Sequence, residues 1–218
     1  MLTRRHFIMT SAAMFSAPIL APQAAQAEQA DWEAWDAQVT PAGYNAEVTN
    51  PWGLHPRFLP QMVESNTRLR VGDIHVDAVA RYLYHIRENG MAMRYGVAIG
   101  RDGLYQPGTF TIRRKAQWPQ WTPTASMIAR DPEYEEFAEG MPGGPTNPLG
   151  ARALYLYVGN RDTYLRIHGS PQPRSIGHRA SSGCVRMIMP HIIDLFDQVE
   201  MGSRVYLYPG ETQLATSS

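Results

Sequence analysis

Residues 167–187, Ile167-His168-Gly169-Ser170-Pro171-Gln172-Pro173-Arg174-Ser175-Ile176-Gly177-His178-Arg179-Ala180-Ser181-Ser182-Gly183-Cys184-Val185-Arg186-Met187, hold the only cysteine of the 218-residue chain. A thiol with its ordinary pKa of ~8.5 is mostly protonated at neutral pH, so a nucleophilic cysteine needs a base, a cation or a helix N-terminus beside it. Two histidines, His168 and His178, precede Cys184, and the Gly-, Pro- and Ser-rich stretch between them can fold back to set a strand-borne imidazole beside the thiol. Ser181, Ser182 and Gly183 leave the backbone before the cysteine uncovered, so its N–H groups can face a developing oxyanion. Such a stretch suits attack on a carbonyl.

The ends of the chain say where that chemistry would take place. Thr3-Arg4-Arg5-His6-Phe7 opens an alanine-rich apolar run, and Ala25-Gln26-Ala27 supplies a small-x-small cleavage pattern. Residues 1–27 therefore read as a twin-arginine-type signal peptide, with a mature start near Glu28 and no transmembrane anchor after cleavage. The expected address is the periplasm. Without those residues, 18 basic side chains face 20 acidic ones, a balance that gives no electrostatic footprint for nucleic acid. A lone free thiol in an oxidising compartment forms no internal disulfide, which raises the expectation that it is used.

Residues 28–72 carry Trp32, Trp35 and Trp52 among several prolines and show one short helical stretch, Asp31–Gln38. They read as an N-terminal segment covering the main domain, with tryptophans as packing anchors in preference to carbohydrate platforms. From Ile74 the pattern becomes one of short strands: Ile74–Asp77, Tyr82–Ile86, a turn at Glu88-Asn89-Gly90, Met93–Ile99 and Thr109–Arg114. Residues 115–150 form a Pro-, Gly- and Trp-rich excursion with one helix over Pro132–Glu139, long enough to be a functional lid. Strands resume at Ala153–Val158 and Thr163–His168. A helix over Pro190–Val199 and a strand over Arg204–Tyr208 follow, and the polar tail at 210–218 reads as flexible.

In this order and spacing the motifs Ile74-His75-Val76-Asp77, Pro107-Gly108-Thr109-Phe110, Gly144-Pro145-Thr146-Asn147-Pro148-Leu149-Gly150, Ile167-His168-Gly169-Ser170 and Ser181-Ser182-Gly183-Cys184-Val185-Arg186 are similar to those of the L,D-transpeptidase catalytic domain, the YkuD or ErfK/YbiS/YcfS/YnhG family. The resemblance covers residues 73–209. It implies a mainly β fold, a mixed and mostly antiparallel β-sandwich with a few flanking helices. It also implies Cys184 as nucleophile, His168 as base, the Gly169 carbonyl as the group that orients the imidazole, the backbone N–H groups of Gly183 and Cys184 as oxyanion donors, and no cofactor. The implied partners are peptidoglycan stem peptides, with carbapenem-type β-lactams as covalent inhibitors. The implied reaction is acylation of Cys184 at the third stem residue with release of D-alanine, then transfer to an amine of a second stem.

One motif position departs from the family. Many members have Ser-His-Gly-Cys where this chain has Ser181-Ser182-Gly183-Cys184, and His178 is a candidate to fill part of the vacated space. Arg186, Ser181 and Ser182 are candidates for substrate binding or loop shaping, with a loop-shaping role slightly favoured for Arg186. Asn147, Tyr155, Tyr157 and Arg174 are pocket candidates by position. The competing readings are a zinc site from His168, His178 and Cys184 without a convincing fourth ligand, a non-catalytic wall-binding module, and the same site used as a carboxypeptidase, endopeptidase or D-amino-acid exchanger.

Overall fold

The computed structural model describes residues 23–216, with side chains from 31 to 215. Most of the expected export signal lies outside the described residues. In chain order the elements are helix α1 (Gln23–Val39), strands β1 (Gln61–Glu64), β2 (Ile74–Asp77), β3 (Tyr82–Ile86), β4 (Met91–Gly96), β5 (Ile99–Gly100) and β6 (Gly108–Gln117), helix α2 (Ala125–Arg130), strands β7 (Arg152–Val158), β8 (Arg161–Ser170), β9 (Arg179–Ser181) and β10 (Val185–Ile188), helix α3 (Met189–Gln198), strand β11 (Arg204–Leu207) and helix α4 (Glu211–Thr216).

Nine strands form one mixed sheet in the order β1-β4-β3-β2-β11-β6-β7-β8-β10, and β5 pairs with β9 in a second, two-stranded sheet. Within the large sheet β2/β11 and β8/β10 are parallel and the other pairs antiparallel. Seven steps separate β4 from β10, which at the usual strand spacing is roughly 34 Å in a flat sheet. Yet Ala98, two residues beyond β4, exchanges backbone hydrogen bonds of 2.9 and 2.8 Å with Arg186 in β10. The sheet must therefore curl back on itself, and the apolar faces of its two halves meet in one core of Ile74, Val76, Leu83, Tyr95, Leu154, Ile167, Val185 and Met187 with Ile192 and Leu195 of α3.

Local sequence accounts for several of these elements. Asn89 and Gly90 both adopt positive φ (58° and 69°), the backbone a tight hairpin turn requires, and the chain reverses there between β3 and β4. Helix α3 begins with Pro190 in its first turn and buries Ile192, Leu195 and Phe196. At its other end the Lys115 ammonium donates to the carbonyls of Phe196 and Val199 at 2.5 and 2.7 Å, satisfying acceptors that the helix leaves open.

Three expectations change. The first helix runs from Gln23 to Val39, longer than Asp31–Gln38, and is held by Asp36, whose carboxylate accepts two hydrogen bonds from Arg152 and one from Trp118 Nε1. The segment expected only to cover the domain also supplies β1, paired antiparallel with β4 at the sheet edge. The tail expected to be flexible forms α4, in which Glu211 accepts from Arg81 at 3.0 Å and Arg179 at 2.5 Å. Burial would raise the Glu211 pKa, but the two guanidiniums and its own backbone N–H outweigh it and hold the group at about 2. Those ion pairs join residues over a hundred positions apart in sequence, or over thirty, which no local pattern reveals.

His191 of α3 sits among the rings of Tyr44, Trp52 and Tyr95, is 1% exposed, and neither ring nitrogen has a hydrogen-bond partner among the described residues. Burial lowers its pKa to about 3. An unfolded chain takes up this proton near 6.5 whereas the folded one resists it, so stability is full above that pH and is lost as the pH falls below it. Replacing His191 with Leu is expected to flatten the fall in unfolding free energy between pH 6.5 and 4 by up to about 1.4 kcal/mol per pH unit. Denaturant unfolding at stepped pH measures this, and an unaltered slope would count against it.

Candidate functional site

The parallel pairing of β8 with β10 places Val185 beside Ile167 and Arg186 beside His168. Ile167, Val185 and Met187 enter the core, so the alternating residues His168, Arg166 and Arg186 share the opposite face. Cys184 lies one residue before β10, and continuing the register sets it next to Arg166 on that same face. From strand spacing and rise, its Cα stands diagonally from that of His168 at roughly 8 Å, within the combined reach of a thiol and an imidazole. Strand β7 continues the face with Ala153 beside His168 and Tyr155 beside Arg166.

His168 is 4% exposed, and its Nδ1 lies 2.6 Å from the Gly169 carbonyl oxygen. That oxygen can only accept, so Nδ1 carries the proton and Nε2 is left with a lone pair. Burial, reinforced by Arg186 and Arg166, lowers the His168 pKa to about 3 against the opposing pull of the Gly169 and Pro148 carbonyls. The ring is a neutral imidazole at physiological pH. For Cys184, which is half-buried, desolvation raises the pKa, while the Arg166 backbone N–H and the guanidiniums of Arg166 and Arg186 pull it down and Asp162 pushes it up. The resting pair is thiol and imidazole, with two cations ready to stabilise a thiolate.

The loop before the cysteine is held by one hydroxyl. Ser181, 1% exposed, donates its Oγ–H to the Cys184 carbonyl at 2.5 Å and accepts the Gly183 N–H at 3.2 Å. Gly183 has φ +129°, and a Cβ there would lie 3.1 Å from the Leu104 carbonyl oxygen, so a side chain is strained by the backbone and crowded by its neighbour. Gly183 N–H is thus engaged by Ser181.

The excursion after β6 forms the wall over this face. Asn147, 1% exposed, donates to the carbonyls of Met141 and Pro142 and accepts from Leu149 N–H. Gly150 (φ +63°) packs so closely on Gly169 that a Cβ would sit 2.7 Å from the Gly169 carbonyl carbon. This close approach brings the Pro148 carbonyl to the imidazole. Farther out, Trp121 packs against Tyr134 and Phe137, Asp131 pairs with Arg101 at 3.0 Å, and Tyr134 acts electrostatically on Arg186.

Of the expected site residues, the structure brings His168, Gly169, Ser181, Gly183, Cys184 and Arg186 together. Arg186 lies on the outer face, donating to Gln172 Oε1 at 3.0 Å, and burial lowers its pKa. Asn147 shapes the lid root with its side-chain bonds used internally, which corrects its reading as a pocket residue. Tyr155 is buried between the guanidiniums of Arg114 and Arg166, with centroid distances of 4.3 and 4.0 Å, and forms the floor of the site. Ser182 is half-buried. The side chain of His178 is exposed, and the residue is held through its backbone, its carbonyl accepting from Ile99 N–H at 3.1 Å. Arg174 is exposed as well. Among the described residues no three His, Cys, Asp or Glu side chains cluster to hold a metal.

Sequence reading missed Asp162, Tyr164 and Arg166. The strand period would have given Arg166, two positions before His168. The other two depend on a bulge that no local pattern marks.

A cysteine and an oriented, buried histidine on one face of a curled mixed β-sheet define a β-sandwich protein with a Cys–His site. The sequence model of the L,D-transpeptidase catalytic domain, YkuD, matches residues 72–207. The probable L,D-transpeptidase ErfK/SrfK of Escherichia coli K12 is 31% identical over 76% of this chain and 53% of its own, and the probable L,D-transpeptidase YbiS of the same strain is 33% identical over 67% and 47%. A solved structure from Brucella melitensis, described as a probable carnitine operon oxidoreductase, is 49% identical over 69% of this chain and 93% of its own, with a TM-score of 0.49. The chain belongs to the L,D-transpeptidase (YkuD) family. It spans about half the length of the curated relatives it matches.

Replacing Ser181 with Ala leaves the buried Gly183 N–H without its acceptor. The expected cost is about 1–3 kcal/mol of stability, together with a loss of thiol reactivity as the Gly183–Cys184 turn loosens. Thermal unfolding and alkylation rates measure both, and a variant with wild-type values of each would refute the hydroxyl's role.

Proposed function

We propose that the protein is a peptidoglycan L,D-transpeptidase acting in the periplasm, reached by way of the twin-arginine signal. The observation that carries the reading is the buried His168 ring, fixed through Nδ1 on the Gly169 carbonyl and sharing one sheet face with Cys184. Nε2 takes the thiol proton as Sγ attacks the carbonyl of the third stem residue. The oxyanion is met by the backbone N–H of Cys184, joined by that of Gly183 as Ser181 yields it. Collapse of the intermediate expels D-alanine, whose amine takes the proton from His168, and leaves a thioester on Cys184. An amine of a second stem then attacks the thioester, His168 accepts its proton, and the new amide leaves with the thiol restored. Arg186 supplies positive charge beside the sulfur, and the lid keeps water from the thioester.

Incubation of the mature protein with disaccharide tetrapeptides, followed by mass spectrometry, is expected to give cross-linked dimers lacking one D-alanine. Tripeptide alone would instead identify a carboxypeptidase, and cleavage of supplied dimers an endopeptidase. A carbapenem, whose strained amide acylates thiolates, is expected to add its mass to Cys184. Neither dimers nor adduct would leave a non-catalytic wall-binding module. Cys184→Ala should abolish turnover, and His168→Gln should lower kcat/KM about 10²–10⁴-fold.

The pH profile provides a separate check. Because burial holds the His168 pKa at about 3, the imidazole remains a free base well below the usual histidine range. The acid limb of kcat/KM is therefore expected without an inflection near 6.5. An inflection between pH 6 and 7 would overturn the neutral-pair assignment.

A further inference from the structure

Strand β8 carries an irregularity beside the nucleophile. Its pairing with β7 runs from Tyr155 with Arg166 to Tyr157 with Asp162, so Thr163, Tyr164 and Leu165 stand against Leu156 alone. Thr163 Oγ1 closes the bulge by donating to the Leu156 carbonyl at 2.6 Å. At its apex Tyr164 adopts φ +61°, a conformation costly for a bulky side chain, and its ring is 70% exposed. Asp162 holds this geometry: Oδ1 accepts from Tyr164 N–H at 2.8 Å, and the two carboxylate oxygens accept from Arg166 at 2.6 and 2.8 Å. The result is aimed at the thiol, since Cys184 Sγ lies 3.8 Å from the Tyr164 carbonyl oxygen.

We propose that the Asp162–Arg166 bulge positions the nucleophile, the Tyr164 carbonyl holding the resting Cys184 S–H and the Tyr164 ring forming the exposed wall against which the acyl donor lies. Strain, a clamp that maintains it and a backbone carbonyl converge on one sulfur, and strained non-glycine backbone of this kind concentrates at functional sites. A carbonyl attracts S–H and repels S⁻. Transfer of the proton to His168 therefore drives the sulfur away from Tyr164 and toward the Arg166 backbone N–H, which favours the thiolate. The ring's part rests on the acyl-transfer reading above, with an apolar stretch of a stem peptide as the group it meets. The carbonyl's part does not rest on that reading.

Two measurements test these parts separately. The rate of Cys184 alkylation by iodoacetamide, followed from pH 5 to 10, reads the thiol without any peptide. Asp162→Asn keeps the size of the clamp and removes its charge, and it is expected to shift this profile to lower pH; a profile superimposable on wild type would overturn the positioning role. Tyr164→Gly accepts the positive φ without strain, so the backbone is kept while the ring is lost. It is expected to leave the melting temperature unchanged or higher and to raise KM for the disaccharide tetrapeptide about three- to tenfold, with a smaller change in kcat, whereas Tyr164→Phe restores KM. An unchanged KM in Tyr164→Gly would overturn the wall. A wild-type protein that turns over no tetrapeptide would defeat the proposed function and the wall with it, and the alkylation profile would still decide the carbonyl's role.

Discussion

The parallel pairing of β8 with β10 is the constraint on which the site depends. Parallel neighbours cannot be joined by a tight hairpin; the chain must travel back to the start of the first strand, which takes a dozen or more residues. Here the return uses the stretch between Ser170 and Val185, with a 3₁₀ turn at Pro173–Ser175 and the short strand β9 pinned to β5. The sixteen-residue interval between His168 and Cys184 is thus a crossover length set by the sheet. Strand β5 can reach β9 only because the large sheet curls, so the core packing of Tyr95, Leu83 and Ile192 also acts on the position of the thiol.

Burial then determines the protonation states. The imidazole is surrounded by protein and by two guanidiniums, both of which disfavour a second proton, and the carbonyls of Gly169 and Pro148 only partly offset them. The thiol is raised by the same desolvation. A pre-formed thiolate–imidazolium pair would place two more charges in a region already holding Arg166, Arg186 and Asp162. The neutral pair avoids that desolvation cost, and the cations become useful only as the sulfur acquires charge.

Much of this was legible in the sequence where chemistry or local pattern is rare. A single cysteine and a preceding histidine marked the site, and β2 and β3 have the bounds their alternation and turn residues suggest. What escaped reading depends on partners distant in the chain. Strand β1 is recognisable only against β4 and α4 only through Arg81 and Arg179, whereas the short helical stretch read at Asp31–Gln38 lies inside the longer α1. Asn147 is a pocket candidate by position alone; its burial and its inward bonds accompany the close packing of Gly150 on Gly169. The pairing of β5 with β9 fixes the backbone next to His178, whose side chain is exposed.

The lid has two parts of different strength, and this follows from where its polar groups are satisfied. At the root, Asn147 is fully buried within hydrogen bonds to Met141, Pro142 and Leu149, and Gly150 is locked against Gly169, so moving residues 147–150 would leave buried groups unpaired at about 1–3 kcal/mol each. That part is a fixed neighbour of His168. The outer part, with α2 and the turn at Pro132–Phe137, packs on Trp121 and carries an ion pair to the body from Asp131 to Arg101, whose side chains are 26% and 45% exposed. An exposed pair of this kind contributes at most about 1 kcal/mol and is screened by salt. The root beside His168 is therefore held by buried hydrogen bonds, whereas the Arg101–Asp131 pair adds little to the hold on the part beside Arg186.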